Sequence, residues 1–193
     1  AKRGLVATMM RTPAEWEAHP QAKTLDTQPL ISLERIGDCS KRLLAKSNRP
    51  LSGIRVLDLT RIIAGPVCGR TLAAHGADVM RVTAPHLPSV PALVTDAGRG
   101  KLSAHLDLNT GADVVTLRSL IADADIFVQG YRPGSIDRWG FSPEDVAAIK
   151  PGIVYISLSA YGHDGPWSGR AGFDSLVQTA SGINHAEAAA KGK

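Results

Sequence analysis

Residues 98–101, Gly-Arg-Gly-Lys, set two cations beside two glycines. Glycines let a ligand approach the main chain. Arg99 can grip a phosphate as a planar fork and Lys101 can meet it as a point charge. A charged turn before a strand explains the same residues. A second candidate is the run Ile63-Ala64-Gly65-Pro66. Small residues before a helix can form a backbone wall against an anionic ligand, because a helix N-terminus attracts negative charge. A tight strand-to-helix turn explains it too. Tyr131, Arg132 and Arg138 add an aromatic and two cations, with a surface aromatic beside a solvated helix as the plain alternative. Asp174 is a carboxylate that reads either as catalytic or as a helix cap. The histidines stand alone: His75, His105 and His163 have no partner at metal-ligand spacing. No Ser/His/Asp arrangement can be argued from the sequence, so no catalytic residue and no metal site is assigned.

The elements that must position these residues follow from apolar periodicity and turn signals. Ile54 to Leu59 is an apolar run suited to a strand covered on both faces. Ala64-Gly65-Pro66 is a turn with Pro66 at the first helical position. A helix through Val67 to Ala74 stops at Gly76, and Val79 to Val82 is the next strand. Such a strand–helix–strand crossover places ligands at the carboxyl ends of its strands. Thr83 to Gly98 has three prolines and reads as a loop. Leu102 to Leu108 is an edge strand. The pattern continues with a helix from Gly111, a strand at Ile126 to Val128, a short helix ended by Gly140, a capped helix from Ser142 to Ile149 and a strand at Ile153 to Leu158. A glycine-rich loop, Ala160 to Gly172, and a helix from Asp174 to Ser181 complete it. Alternation at this spacing predicts an α/β fold, a Rossmann-like open and mainly parallel sheet flanked by helices.

The chain has 193 residues, 22 Lys and Arg against 18 Asp and Glu, and two cysteines. Nine of the cations and five of the acids fall in residues 1–50, which leaves thirteen of each in the remainder. The basic excess therefore belongs to a peripheral segment. Sparse aromatics, not interleaved with basic residues, argue against nucleic acid. No apolar run is long enough for a membrane span and no signal-peptide pattern opens the chain. A cytoplasmic location is expected, with Cys39 and Cys68 reduced. Residues 1–50 read as an arm and linker: Thr12-Pro13-Ala14-Glu15 opens a helix with a capping box, Leu30 to Leu33 suits a short strand, and Lys41 to Pro50 is a linker. A generic dinucleotide site needs Gly-x-Gly-x-x-Gly after the first strand, and Thr60 to Pro66 does not supply it.

The stretch from Leu51 to Val82, with its Leu-Asp-Leu-Thr-Arg step, its Ala-Gly-Pro turn and its Gly-Ala-Asp-Val ending, resembles the opening of the family III CoA-transferases and the α-methylacyl-CoA racemases. The resemblance runs to about Asn184, roughly two thirds of the chain. It implies that 51–193 is the CoA-binding domain, cut short at its C-terminus, and that 1–50 is either the tail of a preceding related domain or an arm. It further implies that Ile63, Ala64 and Gly65 lie along CoA, that Arg99, Lys101 and Arg138 meet phosphate, and that Tyr131 covers an adenine or pantetheine face. The sequence departs from the family pattern at several points. Ile63 stands for a Gln, Gly98 and Gly130 for Asn, Leu102 for a cation, and Thr83-Ala84 for the usual Glu and Arg. Phe173 stands where racemases carry a proton-transferring His, which leaves acyl transfer, and the resemblance makes Asp174 a structural N-cap. The implied reaction moves CoA between a thioester donor and a carboxylic acid acceptor through an aspartyl-CoA intermediate. Its aspartate is expected beyond Lys193, so these residues alone would be inactive. An interlocked homodimer is the implied assembly. The rival expectation is a non-catalytic CoA-binding or scaffold domain of a tandem protein.

Overall fold

The computed structural model describes residues 7–41 and 46–192. Its elements in chain order are α1 (Pro13–Glu17), α2 (Pro20–Leu25), β1 (Arg55–Leu59), α3 (Ala64–Ala74), β2 (Asp78–Thr83), α4 (Pro91–Ala97) and β3 (Lys101–His105). Then follow α5 (Gly111–Ala122), β4 (Ile126–Gln129), α6 (Pro143–Ile149), β5 (Val154–Ser157), α7 (Asp174–Ala180) and α8 (Ile183–Ala190). Contacts divide the chain into two compact units, one formed by the segments up to Glu34 and from Ser159 onward, the other by Arg35–Leu158.

In the second unit five parallel strands lie in the order β3-β2-β1-β4-β5. The expected α/β architecture is present. β1 is central because its sequence can be buried on both faces: Val56, Leu57, Asp58 and Leu59 are all inaccessible. One face packs Leu57, Leu59, Phe127, Leu117 and Ile121, and the other packs Val56, Ala73, Val79 and Val128. Arg49 donates to the carbonyls of Ala73 and Ala74, supplying a cationic cap at the C-terminus of α3. Within the Lys41 to Pro50 stretch expected to be a linker, residues 42–45 lie outside the described residues.

Several boundaries differ from expectation. α3 starts at Ala64 rather than Pro66. Pro66 is tolerated there because the N–H groups of the first turn have no intrahelical acceptor in any case. The proline-rich stretch expected to be a loop contains α4: Pro91 opens it, where a missing N–H costs nothing, and Ala97 is buried. β3 ends at His105, where its pairing with Thr83 of β2 ends, and it is the sheet edge. The helix expected before Gly140 is a single 3-10 turn, Asp137–Trp139. The capping box at Ser142 and Asp145 forms as expected.

Tyr155, on β5, donates its hydroxyl to the Phe141 carbonyl at 3.2 Å. Burial, reinforced by the nearby Asp137 carboxylate, pushes its phenol up to about 12 from an ordinary value of 10. The folded state therefore favours the neutral phenol. This contribution is complete below pH 10 and is lost as pH rises from 10 towards 12. Tyr155→Phe should flatten the alkaline limb of a urea-stability profile; an unchanged limb would show that Tyr155 does not set it.

The first unit joins the two ends of the chain. α1 has the expected capping box, Thr12 with Glu15, and the Arg11 N–H donates to Thr179 of α7 at 3.2 Å. Leu30 to Leu33 form no strand. They are exposed, Leu30 and Leu33 almost fully, and lack a neighbouring strand to satisfy their backbone. α2 and α8 were not expected. Asp174 is the first residue of α7, not its cap; Phe173 holds the cap position, and the Asp174 carboxylate accepts from Gln178. At the centre Gln21, fully buried, donates from Nε2 to the carbonyls of Tyr161 (2.7 Å) and Asp164 (2.8 Å). Its Oε1 accepts the Trp167 N–H at 2.7 Å. One side chain thus supplies the missing partners of a loop that has no ladder of its own. Gly165, at φ +86°, passes so close to this amide that a Cβ would lie 2.6 Å from Oε1.

Candidate ligand site

The site is built on the turn between β1 and α3. Asp58 is buried in mid-sheet, and its Oδ1 accepts from both the N–H and the hydroxyl of Thr60. Its Oδ2 meets the Lys101 ammonium at 2.7 Å. Both side chains are only 1% exposed. The same ammonium donates to the Pro66 carbonyl at 2.7 Å. A buried carboxylate demands such a counter-charge, and the pair fixes the first turn of α3 against β1. Only glycine fits beside it: a Cβ at Gly69 would lie 2.4 Å from Asp58 Oδ2 and 2.8 Å from Lys101 Nζ, and one at Gly65 would lie 2.3 Å from Thr60 Cβ. Within the turn Ile62 takes φ +74°. For a β-branched residue this costs about 1–2 kcal/mol, and such strain persists only where the surroundings over-determine it. Ile63 precedes α3, and no side-chain hydrogen bond caps the helix.

One cleft borders this turn and a second adjoins it. The first is narrow, lies at the carboxyl ends of β1 and β2 and is lined by Thr60, Arg61, Pro66, Arg81, Thr83 and α4 among others. The second is wider and is lined by Arg81, Thr95, Arg99, Lys101 and Ser103 among others. Arg81, Val94 and Gly98 border both. Among the described residues no carboxylate lines either cleft.

Of the residues expected at a ligand, Arg99 and Lys101 line the second cleft, but their roles separate. The Lys101 ammonium is held by Asp58, whereas the Arg99 side chain is 75% exposed, with Asp96 3.8 Å away. Asp96 is more tightly engaged by Arg70, at 2.6 Å. Ile63 ends the turn and Ala64 and Gly65 open α3; none of the three lines either cleft, Ile63 being 43% exposed and Gly65 buried. Tyr131 follows β4, the neighbour of β1. Its N–H donates to Gln129 Oε1 at 2.7 Å, and Gln129 in turn donates to Ser157, which holds the ends of β4 and β5 together. Burial raises the Tyr131 phenol, against the opposing pull of Arg61. Arg138 stacks on Trp139, its guanidinium 3.9 Å from the ring, and lines neither cleft.

Sequence reading missed Arg81, Arg61 and the Asp58–Lys101 pair. Arg81 hides in the strand Met80-Arg81-Val82, where a buried parallel strand gives no polar alternation to betray a functional cation. The signal available was a lone charge in an apolar run, as Asp58 also is. Among the described residues no three His, Cys, Asp or Glu gather as a metal site, and no helix is long and apolar enough to cross a membrane.

The model of a family described as CoA-transferase family III matches residues 51–193. An acetyl-coenzyme A transferase of Hypoxylon pulicicidum is 43% identical over 140 residues, 70% of this chain and 24% of that protein. An acyl-CoA transferase of Gibberella moniliformis is 34% identical over 194 residues, 95% of this chain and 34% of that protein. The crystal structure of a CaiB/BaiF family protein from Brucella suis superposes with a TM-score of 0.63 at 35% identity, covering 68% of this chain and 39% of that one. The chain spans between a quarter and two-fifths of the length of the first of the curated relatives it matches.

Proposed function

Because the chain belongs to CoA-transferase family III, we propose that its Arg35–Leu158 unit binds CoA for an enzyme that moves CoA from a thioester donor to a carboxylic acid. The observation that carries this reading is an arginine-bordered cleft at the strained β1–α3 turn with a second adjoining it, neither lined by an acid among the described residues. A polyanionic ligand with a long flexible arm suits it. Phosphates meet Arg81 and Arg99, the uncapped N-terminus of α3 faces negative charge, and the apolar wall from Pro66 to Ala97 receives uncharged parts. The covalent step falls to an aspartate outside these 193 residues: its carboxylate attacks the thioester carbonyl and expels CoA thiolate, leaving a mixed anhydride, and the thiolate then attacks the aspartyl carbonyl, breaking the anhydride C–O bond, so that the donor leaves as its carboxylate and the aspartyl-CoA thioester remains. Main-chain N–H groups near the glycines stabilise the oxyanions. Ile63, Ala64, Gly65 and Tyr131 border the arm of CoA, and Arg138 stands further out. Lys101, in this reading, positions the turn rather than touching phosphate. The working assembly is an interlocked homodimer, in the cytoplasm.

Titration calorimetry of the full-length protein with CoA tests this: saturable binding is expected, weakened when Arg81 is replaced by Gln. The second reading, a scaffold domain, is favoured by one observation, the burial of the Lys101 ammonium against Asp58. Absence of any heat at millimolar CoA would favour it over the first.

A further inference from the structure

Resting on that reading, we infer that the crossover between β2 and β3, residues 84–100 with α4 at its centre, is a hinged cover that swings away from the β1–α3 turn to admit CoA. The narrow cleft requires a moving part. One wall is Thr60, Arg61, Ile62 and Pro66, and the facing wall is the cover, from Pro88 to Gly98. The space between them measures about 20 Å3, room for about one water molecule. A nucleotide ring does not fit there. Val94 and Gly98 border both this crevice and the wider cleft beside it, so the cover is the partition between the two. Raising it joins them into one open trough.

The cover has hinges and a weak hold. It is bounded by two hydrogen-bonded turns: the Leu87 N–H donates to the Ala84 carbonyl at 3.0 Å, and the Lys101 N–H to the Gly98 carbonyl at 3.1 Å. Within the second turn Gly100 holds φ +76°, which glycine adopts without steric cost. The strands on either side are fixed, since Thr83 and Lys101 belong to the β2–β3 register. Between the turns little secures α4. It has seven residues, too few to be stable as an isolated helix, and no side chain caps its N-terminus. Ala97 is its buried residue. Two arginines tie it back. Arg61 donates to the Pro88 carbonyl at 3.3 Å, and Arg70 of α3 meets Asp96 at 2.6 Å. The closer tie is the latch. Its side chains are 35% and 53% exposed, a setting in which an ion pair holds weakly and can be released.

Hydrogen exchange on the full-length protein, without ligand, tests the motion. The Val94 and Gly98 amides, bonded to Val90 and Val94 within α4, should exchange roughly a hundredfold or more faster than those of β1 and β2. Asp96→Asn and Arg70→Gln each break the latch, and each should speed that exchange about two- to fivefold, as loss of an exposed ion pair implies. Stopped-flow association with CoA tests the gating. Both variants should bind CoA faster, by the same factor as their exchange, although one removes a negative charge and the other a positive one. An association rate that rises for Asp96→Asn and falls for Arg70→Gln would mark plain attraction of an anion and overturn the inference. So would α4 amides as slow as those of the strands, or a broken latch with an unchanged association rate. If CoA does not bind wild type, the functional reading fails and the entry route with it, while exchange alone still decides whether the cover opens.

Discussion

Replacing Lys101 by Met is expected to lower the unfolding free energy by about 3–5 kcal/mol, because it strands a buried carboxylate without its counter-charge. The lysine side chain is 1% exposed and its ammonium bonds two acceptors, Asp58 Oδ2 and the Pro66 carbonyl, each at 2.7 Å. Met fills a similar volume, so the loss is one of charge and hydrogen bonding more than of packing. Asp58→Asn in the same background should recover a large part of it. The amide oxygen can still accept from Thr60 while no charge remains buried, so the two substitutions should couple strongly in a double-mutant cycle. Urea unfolding measures both. A cost below 1 kcal/mol for the single variant would mean that the pair is open to water and does not hold the turn. Exposed ion pairs give the contrast: Arg35 with Asp38, both side chains about 80% exposed, should lose almost nothing when broken.

The second large effect is expected in the other unit. Gln21→Leu keeps the shape and removes three hydrogen bonds at once, two to carbonyls and one from the Trp167 N–H. Buried backbone groups left without partners cost about 1–3 kcal/mol each, and those near the surface recover part of this from water. A loss of about 3 kcal/mol or more is expected for the loop between Ala160 and Gly172. Hydrogen exchange at the Trp167 amide is the direct reading and should accelerate by two orders of magnitude or more, as 3 kcal/mol of local opening requires. An unchanged exchange rate would show that the loop is held by its aromatic contacts, Trp167 with His19, Trp16 and Tyr161, and not by the glutamine.

The architecture was legible because a parallel sheet writes itself as short apolar runs between helical periods. Ile54 to Leu59 and Ile126 to Val128 could be little else. What escaped were elements whose signal is local chemistry rather than period. α4 was hidden by its prolines, which mark helix starts as readily as loops. α2, six residues long, is too short to show a periodicity. The candidate site was half legible. Spacing drew attention to Arg99 and Lys101, but not to the acid that engages one and spares the other, because Asp58 lies 43 residues away from Lys101. No local pattern tells a cation with a buried partner from one left open to solvent. Arg81, the cation left open, was passed over as part of a strand.

The unit that gathers both flanks of the chain has a consequence for the order of assembly. Gln21 and Trp167 are 146 positions apart, whereas the five-stranded unit is a continuous stretch, Arg35–Leu158. During synthesis the continuous stretch has all its residues available first, while α1 and α2 must wait for their partners to leave the ribosome. Once the sheet has formed, it shortens the free tether between the flanks, so their closure carries a smaller entropic penalty than a disordered loop of that length would impose. The flanks are then a late-closing clasp, and a nascent chain halted before residue 159 would carry a folded sheet with α1 and α2 unpaired.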